Sequence, residues 1–366
     1  MKILADRHIP WVEEFFAPFG ELSFFQGQPP EDLAGAEGLI VRTTVKVDRH
    51  LFRVHQPKFV ASPTAGTDHL DVGFLKQQNV PFFYAPGCNA LAVAQWVISS
   101  LVLCYGGLKP LEEKRLGIIG LGQVGSRLHK LGEALGCSIQ AYDPPKQESG
   151  EIGPWAGLEE LLSWSDIVSL HVPKVKEGTH QTLGMIDAQK LSCLKDGGVL
   201  INSSRGGVVD EAALMAQRDR LKAVILDTWS GEPQINRDLC GMATFVSPHI
   251  AGYSHEAKFM GTQMIATQVA QLCALHQRPL LGPFQSEVHP LDQGVVSLFG
   301  SVSHIPLQDR QLRDQGDFAW LRNHYPLRHQ WESLVLSGGA LLSEHERSRL
   351  EKLGFSLDFP GSPERA

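Results

Sequence analysis

Short apolar runs and stretches of helical apolar spacing take turns along most of this chain. Residues 2–5, 22–25, 38–42, 58–61 and 80–85 are brief and apolar and read as strands. Between them, residues 11–19 and 68–78 carry apolar positions at helical spacing. This alternation over residues 1–86 predicts a small parallel α/β domain. Residues 89–107 read as one long apolar helix, the crossover into a second β–α series. That series has strands at 115–119, 137–142, 167–170, 199–203, 223–226 and 245–247, the pattern of a doubly wound sheet. Residues 256–275 are helical with no strand to feed. They are expected to return to the first domain and make it discontinuous, residues 1–88 with 253–282, around an inserted domain of residues 89–252.

Residues 278–290 read as a linker bearing Pro and Gly. Residues 291–366 are expected to form a third, small α+β unit. Its predicted strands are 294–298, 331–336 and 355–359, with a helix at 343–353 and six frayed residues at the end. Such a unit makes a poor core alone. Its apolar face is therefore expected to meet either the first domain or a second copy of the chain.

The second series opens on Gly120-Leu-Gly122-Gln123-Val124-Gly125, placed between the 115–119 strand and the helical run at 126–135. Gly120 permits a tight turn, Gly122 lets a pyrophosphate approach the backbone, and Gly125 lets helix and strand pack closely. The helix then presents its positive N-terminus to the phosphates. The next strand ends at Asp143, where an acid accepts hydrogen bonds from a ribose and repels a 2′-phosphate. A dinucleotide is implied, and NAD rather than NADP.

In such sheets ligands sit beyond the carboxyl ends of the strands. Arg205, Glu232 and His249 follow three successive strand ends. Hydride transfer from a hydroxy acid needs those three types. A guanidinium clamps the carboxylate and polarises the reacting oxygen. An imidazole takes the hydroxyl proton, and a carboxylate beside an imidazole orients it and raises its pKa. His171 and Val172, after the 167–170 strand, are assigned to the wall of the cofactor pocket.

The order GxGxxG, acid, Arg-Gly-x-x-Val-Asp, Glu-Pro, Pro-His-Ile-Ala-Gly resembles the D-isomer-specific 2-hydroxyacid dehydrogenases. Six stretches narrow the likeness: 41–46 (VRTTVK), 64–69 (TAGTDH), 85–90 (APGCNA), 142–145 (YDPP), 229–233 (WSGEP) and 249–253 (HIAGY). They make the chain similar to the members of that family that oxidise 4-phospho-D-erythronate at C2 in the vitamin B6 pathway. The resemblance implies a Rossmann NAD-binding domain inserted in a flavodoxin-like substrate domain, and a C-terminal domain that makes a homodimer. An ACT-type regulatory unit is the alternative for that last domain. It implies Arg205 and Glu232 as catalytic residues and His249 as the acid/base. It implies NAD contacts from Asp143, Asp227, Gly252, Ser203 and Ser204, and substrate contacts from Thr43, Thr64 and Tyr253. A phosphorylated substrate also needs cations, for which Arg42 and Lys258 are the candidates. The chain departs from the family at Pro63 and at Ser203-Ser204, without losing a catalytic group.

Composition narrows the setting. The 366 residues are 43% hydrophobic and 20% charged, with a formal net charge of -7. That balance disfavours a nucleic-acid or anionic-membrane partner. The six cysteines contain no CxxC, which fits a reducing compartment with neither a disulfide framework nor a metal site. The start shows no signal peptide. The apolar stretch at 90–103 is interrupted by Gln95 and too short to span a bilayer, so a cytoplasmic protein is expected. Two rivals remain at this level: another D-2-hydroxyacid dehydrogenase acting on glycerate or phosphoglycerate, and an NAD-sensing binding protein of the corepressor type.

Overall fold

The computed structural model describes all residues except 276–281, 283–285, 292, 315, 339–341 and 359–366. The end of the chain and most of the expected linker thus lie outside the described residues. The chain divides into two compact units, Met1–Asn89 with Ser254–Phe284 and Ala90–Tyr253 with Gln285–Ala366.

The first unit holds five strands: β1 (Lys2–Asp6), β2 (Glu21–Phe25), β3 (Gly38–Ile40), β4 (Phe59–Ser62) and β5 (Phe82–Tyr84). They form one parallel sheet in the flavodoxin-like order β2-β1-β3-β4-β5. Alternate residues serve opposite faces. Ile3, Ala5, Ile40 and Phe59 meet Phe15, Phe16 and, from the returning His255–Leu272 helix, Phe259 and Ile265. Leu4, Leu39, Val41 and Val60 meet Leu70, Leu75 and Val80. The helix expected at 68–78 covers only Val72–Gln77. Asp71 caps its start, so it begins late, by accepting the Phe74 N–H at 2.9 Å. His69 is left outside and buried, 2.9 Å from Ser62 Oγ.

The second unit carries β6 (Arg115–Ile119), β7 (Ser138–Tyr142), β8 (Ile167–Leu170), β9 (Val199–Asn202), β10 (Ala223–Leu226) and β11 (Phe245–Val246). All pairs are parallel, in the order β11-β10-β9-β8-β6-β7. Strand order reverses between β6 and β8, the switch point at which such sheets bind ligands. Leu116, Ile118, Val199, Ile201 and Ile225 pack on the Ala90–Tyr105 and Gln123–Leu135 helices. Ile119, Val168, Leu170, Leu200 and Val224 face the other way, toward Leu161, Leu162 and Leu214.

The C-terminal residues correct two expectations. Residues 294–298 are not a strand but open the Gly294–Ser303 helix. Val295, Leu298, Phe299 and Val302 show the helical period once the window is long enough. The missing strand is β12 (Glu287–Pro290), read from sequence as linker. It is an exposed edge strand ending in Pro290, with Val288 62% exposed, so it has no buried period to display. β12, β13 (Leu334–Ser337) and β14 (Ser356–Asp358) make a parallel three-stranded sheet.

Part of its apolar surface is taken by helices of its own unit, an occupant that the sequence did not suggest. Phe299, Trp331, Leu336 and Phe355 join the core formed by the Ala90–Tyr105 and Gln123–Leu135 helices of the same chain. Phe299 meets Trp331 edge-on at 5.3 Å, and Trp331 stacks on Phe355 at 5.0 Å. Buried Gln95, the polar break in the apolar helix, donates to Glu332 Oε2 at 2.9 Å and accepts the Trp331 N–H at 3.3 Å. The Ile305–Asp314 helix guards the β11 edge of the six-stranded sheet: Asp309 accepts the Val246 N–H at 2.9 Å. No helix among the described residues is long and apolar enough to cross a membrane.

Candidate active site

The glycine turn between β6 and the Gln123–Leu135 helix is shaped by close approach. A Cβ on Gly120, whose φ is 91°, would sit 2.6 Å from the His171 carbonyl oxygen, and one on Gly125 would sit 2.0 Å from that of Gly120. A Cβ on Gly122 would meet open space. No side chain caps the helix at Gly122, so the first amides, including those near Gln123 and Val124, are left for an anion. Asp143 accepts the Leu121 N–H at 2.8 Å, tying the end of β7 to this turn. Val172 lies against Gly120. Ser203 Oγ and His171 Nδ1, past the ends of β9 and β8, are buried with no partner. Burial pushes the His171 imidazole down to about 3, so it is neutral. An uncapped helix, an open glycine and two orphaned polar atoms at the switch point fit a dinucleotide.

The turn after β9 is pinned by Asn202. Its Oδ1 accepts from Ser204 N at 3.1 Å and Ser204 Oγ at 2.8 Å, and its Nδ2 donates to the Arg205 carbonyl at 3.1 Å. Arg205 Nη1 donates to the Ser204 carbonyl at 2.8 Å. A Cβ on Gly206 would lie 1.7 Å from the Trp229 carbonyl oxygen. The Arg205 turn therefore abuts the loop that carries Glu232.

Glu232 and His249 meet directly. Glu232 Oε1 accepts the Trp229 N–H at 2.8 Å, and Oε2 lies 2.8 Å from His249 Nδ1. An ionised carboxylate only accepts, so Nδ1 carries a proton. Burial works to raise the Glu232 carboxyl. The His249 hydrogen bond and charge, the Trp229 N–H and the Arg322 charge outweigh it and hold the group below its ordinary value. His249 itself has φ 58°, and its N–H goes to the Asp227 carbonyl at 2.8 Å.

Asp227, expected at the cofactor, is 1% exposed. Its carboxylate accepts from Ser247 Oγ at 2.6 Å, Ile250 N at 2.7 Å and Ala251 N at 3.1 Å. It holds the loop bearing His249 and Gly252. Burial raises its pKa against the His249 charge and these donors.

Tyr253 closes that loop, edge-on to Tyr325 at 5.9 Å, and accepts from Arg322 at 3.2 Å. Buried Arg328 donates to the Ala251 carbonyl at 2.6 Å. Reading the sequence missed Arg322, Tyr325 and Arg328, since nothing local ties residues 318–328 to residues 249–253. In the other unit Thr43 is exposed in the turn after β3, and Thr64 Oγ1 donates to the Gly66 carbonyl at 2.8 Å. Arg42 gives its Nε to buried Asp6 at 2.8 Å, and Lys258 is exposed in the first turn of the His255–Leu272 helix.

Residues 104–251 match the family described as D-isomer specific 2-hydroxyacid dehydrogenase, NAD binding domain. The erythronate-4-phosphate dehydrogenase of Yersinia enterocolitica is 38% identical over 98% of this chain and 100% of its own. That of Escherichia coli is 37% identical over 97% of this chain and 98% of its own. Among solved structures, a D-lactate dehydrogenase from Aquifex aeolicus, complexed with NAD and lactic acid, is 25% identical with a TM-score of 0.61. The match covers 74% of this chain and 96% of that one. The chain belongs to the D-isomer-specific 2-hydroxyacid dehydrogenases, NAD-dependent enzymes, and within them to the erythronate-4-phosphate dehydrogenase branch.

Proposed function

We propose that the chain oxidises 4-phospho-D-erythronate at C2 with NAD, giving (R)-3-hydroxy-2-oxo-4-phosphobutanoate in the biosynthesis of pyridoxine 5′-phosphate. The observation that carries the chemistry is the 2.8 Å His249–Glu232 hydrogen bond, beyond the carboxyl ends of β10 and β11 and beside the Arg205 turn. The name shared by the full-length relatives points to the substrate. Arg205 clamps the substrate carboxylate and polarises the C2 oxygen. His249 Nε2 takes the C2 hydroxyl proton as the C2–H bond breaks and the C–O bond becomes a carbonyl. Glu232 keeps Nδ1 protonated and stabilises the imidazolium that results. NAD, when bound, supplies the hydride acceptor, and Asp143 favours it over NADP. Ser203, Ser204 and Gly252 are proposed to border NAD, and Thr43, Thr64 and Tyr253 the substrate. The proposed setting is cytoplasmic and the proposed assembly a homodimer, for which Val288, Trp320 and Leu327 are exposed apolar side chains.

The test is turnover of 4-phosphoerythronate beside 3-phosphoglycerate, followed by nicotinamide absorbance. The first is expected to have the higher kcat/KM. His249→Asn is expected to lower kcat by roughly 10²–10⁴ with little change in NAD affinity. Preference for 3-phosphoglycerate would move the substrate assignment to the rival dehydrogenase. An unchanged kcat in the variant would move proton transfer to another group.

A further inference from the structure

The Phe318–Asn323 helix is short, but both its start and its inner face are fixed. Asp317 accepts the Trp320 N–H at 2.8 Å. Phe318 and Leu321 are buried in the core that includes Leu239, Cys240 and Val246. Arg322, in the last turn, is thereby held in place. Its guanidinium lies 5.8 Å from the centre of the Tyr253 ring and 5.9 Å from that of Phe318, and Nη2 donates to Tyr253 Oη at 3.2 Å. Nε is buried and has no hydrogen-bond partner. None of the ion pairs among the described residues involves Arg322. Its charge nonetheless reaches Glu232 and helps keep that carboxylate ionised. A buried N–H with no acceptor is costly to keep unless a ligand supplies one. A guanidinium fork suits a phosphoryl group, whose oxygens accept two N–H donors side by side.

We propose that Arg322 is a substrate-recognition residue, the cation that takes the phosphoryl group of the substrate. The proposal rests on the reading that the substrate is a phosphorylated hydroxy acid. With a dianion bound, Nε gains its missing acceptor, and the bond to Tyr253 sets the plane of the fork. The C-terminal segment then contributes to substrate choice as well as to the core. It also places the phosphate cation in the same unit as His249; Arg42, in the first unit, is already engaged by Asp6.

The experiment compares kcat/KM for 4-phosphoerythronate and for unphosphorylated D-erythronate in the wild type, Arg322→Gln and Arg322→Lys. The ratio of the two is expected to fall about 10- to 100-fold in Arg322→Gln, the size of a lost charge-assisted hydrogen bond, and to fall through KM. Arg322→Lys should recover part of it. Inorganic phosphate should also weaken as a competitive inhibitor in Arg322→Lys, a variant that keeps charge and bulk should the glutamine variant fail to fold. Equal losses on both substrates would reduce Arg322 to a support for Tyr253 and overturn the proposal while leaving the enzyme's assignment standing. A wild type with no preference for the phosphorylated acid would overturn both.

Discussion

Single side chains divide here into those that face chemistry and those that hold the chain around it, and their neighbours decide which. His69 belongs to the second kind. Ser62 gives its proton to the Val41 carbonyl at 2.9 Å, so the 2.9 Å contact to His69 is donated by the imidazole Nε2. Burial lowers the His69 pKa to about 4, against a smaller opposing pull from Asp68. An unfolded imidazole takes its proton near pH 6.5, at about the reference value. Between those values the unfolded chain binds more protons than the folded one. His69 therefore makes stability full above about pH 6.5 and drains it as pH falls toward about 4, by roughly 3 kcal/mol in all. Urea midpoints at pH 7.5 and 4.5 should differ less in His69→Gln than in the wild type. Identical differences would show that the ring titrates without cost.

At the scale of elements, the site is two loops pressed together. The Arg205 turn follows β9, and the Trp229–Glu232 loop follows β10; Gly206 is where they touch. Any side chain at 206 must push the Trp229 carbonyl away, and with it the amide that holds Glu232. Gly206→Ala is therefore expected to lower kcat by about 100-fold if Glu232 acts as proposed, the cost of displacing a catalytic group by about an ångström. The sheet should remain intact, so the melting temperature should move far less than the rate. Full activity in this variant would mean that the loops can separate without disturbing His249. The element level is also where the sequence misled. Residues 294–298 are apolar and short, which suits a strand or a buried helix alike, and only the continuation to Val302 separates them.

At the scale of the molecule, the C-terminal residues complete the second unit. Arg349 donates to the Ala134 carbonyl at 2.7 Å, Arg328 reaches the Ala92 carbonyl at 3.3 Å, and Gln95 has its amide filled by Trp331 and Glu332. Phe299, Trp331, Leu336 and Phe355 contribute about 2 kcal/mol each by burial, against a typical net stability of about 5–15 kcal/mol. A small appended unit would be dispensable for folding. This packing implies the opposite: a chain ending near residue 280 should lose cooperative unfolding and NAD binding together. Circular dichroism melts and nicotinamide titration would show it. A truncated chain that melts like the whole and still binds NAD would refute the argument.

What could be read from residues alone was what local physics repeats. Short apolar runs and helical spacing placed the strands of the five- and six-stranded sheets. The glycines at 120, 122 and 125 are legible because a strand-to-helix turn around a phosphate admits little else. That Arg205, Glu232 and His249 lie beyond strand ends could be read because each follows a strand of a parallel sheet, whose carboxyl ends are where such sheets bring ligands. Only the tertiary structure decided the rest. The family resemblance makes Asp227 a cofactor contact; that its carboxylate also ties down residues 247–251 is something only the fold shows. Gln95 reads as a flaw in an apolar helix until a partner 237 positions away satisfies it. Arg322 is one charge among many until a distant tyrosine and an empty Nε give it a direction. Such contacts leave no period in the sequence, because they join segments that share no turn, strand or helix and are matched only when the chain is folded.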